Sequence, residues 1–511
     1  MFNISLCNSS SVLLGHGAAG KRALQKKAEK FELKKFRVLK VDKELVLGLE
    51  PLLQDVYANR HPKPADYEVR RDLVRVFNEI AKEIYGHSKD IPVVVEYGSF
   101  VMDIFSTSSD LDLSVNFSTT TVPFPREKKI QTLRKFAKKL YAIQSKGHVS
   151  GVLPITTAKV PILKCVDCGT GVECDISVEN RDGILKSQII HIISSIDDRF
   201  PKLSFLMKTW AKAYNINSSK DKTLNSLSII LLVAFHLQTR DPPILPPFSS
   251  IFKDGTDPET VAKSMSNFVN YGNQNRESLA ELFVTLLIKL SSVEKLWPKG
   301  LCVSTCSGSW TSKTFDSKVA SISVEDFTDP SQNVARAVGQ AEVKQIYKCI
   351  NISIQHIFSF MDRKIGAEVK DLLFGKYVIH PTPSFTRGYA SNLHPTMVLP
   401  CYIPYQPNQI RRVETEKRKK QATDEFEWAK KMRIAEGWRG MPSGSLGPVN
   451  FDGIRTQNDD VVPYDPMRRQ MGGWDGNWQP GAGGWGRTTP QQLGAGGWGE
   501  TQHHIRREGW R

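Results

Sequence analysis

The stretch from Tyr97 to Phe117, YGSFVMDIFSTSSDLDLSVNF, constrains the fold more than any other part of the chain. From Asp110 onward polar and apolar residues alternate strictly. Asp110, Asp112, Ser114 and Asn116 fall on one face of a strand, and Leu111, Leu113, Val115 and Phe117 on the other. The apolar face requires a core to pack on. Two aspartates so close on the opposite face repel each other unless a cation sits between them, and a hard oxygen set favours magnesium. Upstream, Ile91 to Glu96 reads as a short buried strand, and Gly98-Ser99 as a small turn opening a short helix, a geometry that offers backbone N–H groups to a phosphate. A single Asp-x-Asp is weak evidence alone, because many such strands simply face water.

A third carboxylate has the same setting. In Val172 to Glu179 the alternation returns, with Glu173, Asp175, Ser177 and Glu179 on one face and Val172, Cys174, Ile176 and Val178 on the other. Three acidic side chains on two strands are enough to hold two metal ions, one for an attacking hydroxyl and one for a leaving phosphate oxygen. Composition and spacing carry the reading no further.

A Gly-Ser turn, an Asp-x-Asp starting eleven residues after the serine and a lone aspartate on a later strand resemble the polymerase-beta-like nucleotidyltransferases. Within them the chain looks most like the poly(A)-polymerase-like RNA terminal uridylyltransferases of the plant small-RNA type, from about Leu47 to Phe360. The segments FLMKTWAKAYNIN and KTLNSLSIILLVAFHLQ extend the likeness into a second, helical region. The resemblance implies an α+β fold: a mixed sheet with helices on one side, joined to a helical nucleotide-binding domain. It implies Asp110, Asp112 and Asp175 as catalytic, metal-holding residues with Mg2+ (or Mn2+), and Gly98, Ser99, Lys208 and Lys212 on the triphosphate. Asn180, Lys186, Ser187 and Ser226 match nucleotide contacts, and Asp326, Asp329 and Gln332 match positions bordering the base. Three departures bear on base choice. Leu227 stands where the family usually has a stacking tyrosine, Gln332 where uracil-selective relatives often have a histidine, and Phe327-Thr328 where a Pro-Phe pair is usual. The implied activity is addition of nucleotides, uridine before adenosine, to RNA 3′ ends; the rivals are a poly(A)-adding enzyme and a catalytically weak RNA-binding scaffold.

Charge agrees with a nucleic-acid partner. The 511 residues carry a net charge of +16 with a pI near 9.3, and no apolar run is long enough to span a bilayer. The longest, Ser228 to Leu237, reads as a core helix. Eight scattered cysteines make no disulfide framework, and the Cys165-x-x-Cys168 pair with Cys174 lacks the second pair that a zinc site needs. A monomer in the cytoplasm or nucleus is expected.

Four regions follow: a disordered basic arm over 1–43, a catalytic domain over 44–190, a helical domain over 191–390, and a tail over 391–511. Helical spacing marks Val69 to Ile84 (through Leu73, Val76, Phe77 and Ile80), Arg126 to Tyr141, Leu203 to Tyr214, Ser278 to Leu290 and Val343 to Phe358. Val160 to Val166 reads as the hairpin partner of the Asp175 strand. The lysine-rich run Lys21 to Lys40 reads as a solvated, partly helical part of the arm. The tail holds a bipartite basic run, Arg411 to Lys420, and beyond Gly437 a Gly/Pro/Gln/Asn-rich composition that does not build a core. Within it Trp438, Trp474, Trp485, Trp498 and Trp510 each follow a glycine. Trp474, Trp485 and Trp498 in particular resemble the glycine-tryptophan hooks that bind Argonaute proteins.

Overall fold

The computed structural model describes residues 15–376 apart from 89, 119–123 and 317. The basic run at 411–420 and the Gly-Trp repeats lie outside the described residues.

A five-stranded mixed sheet forms the first body. Its strands are β1 (Val93–Tyr97), β2 (Leu111–Asn116), β3 (Val149–Ile155), β4 (Ile162–Asp167) and β5 (Glu173–Val178), in the spatial order β1-β2-β5-β4-β3. Only the β2–β5 pair is parallel, and it is the pair that carries the aspartates. The apolar side of the sheet buries Leu111, Leu113, Val115, Leu163, Cys174, Ile176 and Val178. Against it pack Leu73, Phe77 and Ile80 of the helix Pro64–Tyr85 and Leu133, Phe136, Ala137 and Leu140 of the helix Arg126–Gln144. The expected helices are there, with Val76 turned out to solvent at 51 % exposure.

The second core is helical. In chain order the helices are α1 (Gly15–Leu39), α2 (Lys43–Leu47), α3 (Glu50–Arg60), the two sheet-backing helices α4 (Pro64–Tyr85) and α5 (Arg126–Gln144), then α6 (Arg181–Ser194), α7 (Arg199–Ala213) and α8 (Ser226–Gln238). The short α9 (Phe248–Ile251) and α10 (Pro258–Ser264) follow, then α11 (Leu279–Ser292), α12 (Gln340–Met361) and α13 (Val369–Phe374). Helix α8 is buried along its length from Ser228 to Gln238, as its apolar run requires, and α11 opens with a Ser278/Glu281 capping box. Among the described residues no helix is long and apolar enough to cross a membrane.

Five features differ from the sequence reading. The 1–43 segment is not a disordered arm over its described part: α1 is a continuous helix, and Ala28, Leu24, Phe31, Phe36 and Leu39 seat it on the helical core. The segment from Val46 to Val56, expected with the sheet, also packs on the helical core. The first strand is only half-buried: β1 is an edge that buries Val94 and leaves Val93, and Ile91 ahead of it, exposed. No helix follows Gly98; turns closed by Met102 N to Gly98 O (3.1 Å) and Ile104 N to Ser99 O (3.1 Å) take its place. Two strand elements were unforeseen. Edge strand β3 contains Gly151 and Pro154 and a register shift, features that hide a strand from pattern reading, and the hairpin β6 (Leu301–Ser304) and β7 (Ser309–Ser312) has only four residues per arm. Cys165 and Cys174 are opposite neighbours on β4 and β5, inside the sheet core, as free thiols.

Candidate active site

The parallel register sets the site. Asp112 on β2 is the direct partner of Asp175 on β5, and Asp110 sits one residue ahead of β2. Each of the three offers a carboxylate oxygen within 4.8 Å of the others. Among the described residues this is the one grouping of three or more metal-type ligands. Crowding has an electrostatic consequence: burial, then the charges of Asp110 and Asp175, raise the Asp112 carboxyl well above its ordinary 3.8. Burial also raises Asp175, against the pull of Lys164. Three carboxylates crowded together fit a hard divalent ion such as Mg2+ or Mn2+, even with Lys164 bonded to Asp175.

The turn after β1 is shaped around Asp112. Gly98 holds φ +74°, and a Cβ there would lie 2.0 Å from Asp112 Oδ2, so the chain approaches the carboxylate as only glycine can. Gly98 N donates to Ser187 Oγ at 2.7 Å, and Ser187 Oγ donates to Gly183 O at 2.7 Å. Ser187, matched above to a nucleotide contact, is fully buried beneath the turn. The far end of the turn is fastened by Lys208, whose Nζ donates to Ile104 O at 2.6 Å. Lys208 is buried, and burial together with neighbouring Lys212 pulls its ammonium down to about 7, against the attraction of Asp110 and Asp112. Lys212 lies one turn further along α7 and is exposed.

A second cluster involves the loop after β7. Lys186 is buried and bonds both Asp182 (2.6 Å) and Asp326 (2.5 Å), so two of the matched positions meet each other directly. Asp326 also accepts from Thr328 N at 3.1 Å. Asn180 caps α6, accepting from Gly183 N at 3.3 Å, while its own N donates to Ser114 Oγ at 3.0 Å. Gln332 is half-buried, with Oε1 accepting from Lys159 Nζ at 3.2 Å. Asp329 is exposed and accepts from Ser331 N and Oγ at 3.0 and 2.6 Å; Ser226 stands at the first turn of α8, 3.4 Å from Asn217 Oδ1. Leu227 packs on the helical core. The structure therefore gathers the triad, the Gly98 turn, Ser187 and Lys208 into one cluster and Lys186 with Asp326 into another. Asp329 feels the charge of Lys186 without a hydrogen bond to it, and Ser226 bonds Asn217.

Lys164 was not singled out from sequence. Its Nζ donates to both oxygens of Asp175 at 2.7 Å from the facing position on β4. A signal existed: in VPILKCV it is the one charged residue of an apolar run, and counting back from the hairpin turn puts it opposite Asp175.

Three carboxylates from adjacent parallel strands, beside a glycine turn tied to a lysine of the next domain, form the palm of a nucleotidyltransferase. Comparison with known proteins gives the same class. Residues 49–195 match the family model described as the central palm domain of poly(A) RNA polymerase, mitochondrial-like. Protein HESO1 of Arabidopsis thaliana is 33 % identical over 352 residues, 65 % of this chain and 67 % of that protein. Human terminal uridylyltransferase 7 is 28 % identical over 169 residues, 31 % of this chain and only 11 % of that much longer protein. The crystal structure of mtPAP in complex with ATPγS superposes with a TM-score of 0.53 at 17 % identity, over 68 % of this chain and 75 % of that one, a likeness of fold. The chain belongs to the polymerase-beta-like RNA terminal nucleotidyltransferases.

Proposed function

We propose that the chain extends RNA 3′ ends without a template, with uridine preferred. The observation that carries this is the register of β2 and β5, which sets Asp112 beside Asp175 with Asp110 adjacent, next to the Gly98 turn. The triad would hold Mg2+ or Mn2+, which when bound lowers the pKa of the RNA 3′-hydroxyl and neutralises charge on the leaving group. The oxygen of that hydroxyl forms a bond to the α-phosphorus of the nucleoside triphosphate, the bond to pyrophosphate breaks, and the hydroxyl proton passes to solvent. The chain's part is positioning and charge placement. Lys164 fixes the plane of Asp175, the carboxylate assigned to the attacking side. Gly98 lets the turn come close with no side chain in the way, and Lys208 and Lys212 supply positive charge for the triphosphate. Lys186, Asp326 and Gln332 line the side assigned to sugar and base.

Uridine preference is supported by the likeness to a protein named as a terminal uridylyltransferase. Adenosine is the second reading, favoured by the poly(A) polymerase palm model and by Leu227, which gives contact area without a stacking ring. Competition among the four nucleoside triphosphates on a labelled RNA separates the two. Predominant uridine incorporation, with weaker discrimination against ATP than a tyrosine-histidine site would give, is expected; clear ATP preference overturns the first reading.

The Gly-Trp repeats support an accessory role, docking on an Argonaute that holds the RNA, by a monomer working in cytoplasm or nucleus. Changing Trp474, Trp485 and Trp498 together to Ala should weaken Argonaute pull-down more than any single change, through lost multivalency. Unchanged capture by the triple variant removes that role.

A further inference from the structure

Helix α1 has two opposed faces. The inner one is committed: Ala28 is fully buried, Leu24, Phe31, Phe36 and Leu39 pack on the helical core, and Glu32 accepts from Trp310 Nε1 while pairing with Lys289 Nζ at 3.0 Å. Lys289 is itself buried and donates to Thr239 Oγ1 at 2.6 Å, so the helix is locked in place rather than loosely attached. On the outer face Arg22, Lys26, Lys30 and Lys34 recur every fourth residue, all exposed, with Arg37 continuing the row. Four-residue steps place one positive charge about every 6 Å along the axis.

Two other exposed helix faces are built with their charges paired, whereas α5, with Lys128, Arg134, Lys135 and Lys138 exposed, shares the basic excess but backs the sheet of the catalytic body. On α4, Arg75 pairs with Asp72 and Lys82 with Glu79, and on α7 Lys202 pairs with Asp198. Residues 21–40 hold nine lysines and arginines against two acidic residues, Glu29 and Glu32, and Glu32 is consumed inside. Like charges at i and i+4 work against a helix, so an unbalanced row of this kind calls for an outside anion. Helix α1 lies on β7, and β6, the partner of β7, bridges through Val303 to Val324, two residues before Asp326. The charged row and the loop assigned to the nucleotide thus hang on one hairpin.

We propose that the outer face of α1 is a docking row for the phosphate backbone of the RNA body upstream of the 3′ end being extended, a site separate from the catalytic cluster. The inference rests on the RNA reading above. A lipid surface suits the helix less well, because its apolar stripe is spent on the core and only Leu33 and Val38 stand out as apolar on the exposed side.

The test uses the full chain with Arg22, Lys26, Lys30 and Lys34 all changed to Ala, which keeps helix propensity and leaves the packed face alone. Direct binding is measured by anisotropy to a long and a short single-stranded RNA over a salt series. Affinity for the long RNA should fall about ten-fold, with the salt slope smaller by about 3, because four phosphate contacts each contribute about 0.7 on a single strand. Affinity for the short RNA should not change, nor should kcat at saturating RNA. Equal loss on both RNAs, or unchanged affinity for the long one, overturns the proposal. Loss of binding to phosphatidylserine vesicles with RNA affinity intact also overturns it, in favour of lipid. A second variant, Lys26→Arg with Lys30→Arg and Lys34→Arg, keeps the charge and must keep wild-type affinity; weaker binding there contradicts a phosphate role. Because binding is read directly, a chain that binds RNA through this row yet extends none would refute the functional reading and leave the docking row standing.

Discussion

Two charged clusters meet helix α6 at successive residues. Ser187 props the Gly98 turn against Asp112, while Lys186 reaches Asp182 and Asp326. In the first cluster three carboxylates crowd together, and burial with mutual repulsion raises Asp112 well above its ordinary value. In the second, a buried lysine and a buried aspartate already answer each other at 2.5 Å. The palm crowds carboxylates against one another and has room for a cation from outside, whereas the buried carboxylate of the base-side loop is already paired with the Lys186 ammonium. Removing a charge should therefore cost activity in the palm and stability in the loop.

The sharpest way to break this contrast is at Gly98. Gly98→Ala forces a Cβ toward Asp112 Oδ2 and strains a backbone at φ +74°, so kcat should fall about 100-fold in a primer-extension assay. Near-normal extension would mean that the close approach to Asp112 does not matter. Lys186→Met probes the other side. It strands the buried Asp326 carboxylate, and unfolding by denaturant should show a loss of about 3 kcal/mol, partly recovered when Asp326→Leu is added. Wild-type stability in Lys186→Met would show that the loop is not held by that pair.

The smallest effect concerns pH. A carboxyl whose folded pKa is raised binds a proton more tightly when folded, so its contribution is fully present below about 3.8 and is lost as pH rises through the folded value. With chelator present, the melting temperature should therefore decline by a few degrees from weakly acid to neutral pH, and Asp112→Asn should flatten that decline. Added Mg2+ should restore the wild type at neutral pH and do little for the variant. A chelated wild type whose melting temperature has the same pH slope as Asp112→Asn would contradict the crowding.

The elements that carry the chemistry were legible because they follow a period of two under strong constraint. Alternation from Asp110 and from Val172 gave β2 and β5 and the face of each aspartate, and helical spacing gave α5, α7, α11 and α12. What escaped depends on pairing that no single segment records. Edge strand β1 looked buried because Ile91, Val93, Val94 and Val95 are apolar, yet an edge needs no second cover. Helix α1 looked like a solvated arm because nine of the twenty residues from 21 to 40 are lysine or arginine, although a narrow stripe around Ala28 and Phe31 suffices to seat it. The Lys164–Asp175 contact and the seat of Ser187 under Gly98 come from tertiary placement, which spacing within a motif does not encode.

The central claim is that the carboxylates on β2 and β5 perform nucleotidyl transfer. It is tested most directly by incubating the purified chain with labelled RNA, UTP and Mg2+, beside the variant Asp110→Ala with Asp112→Ala. The wild type should lengthen the RNA at its 3′ end, and the variant should be slower by about three orders of magnitude or more while its melting temperature stays the same or rises slightly. Equal extension by the two proteins, or none by the wild type with any of the four nucleotides, would contradict it.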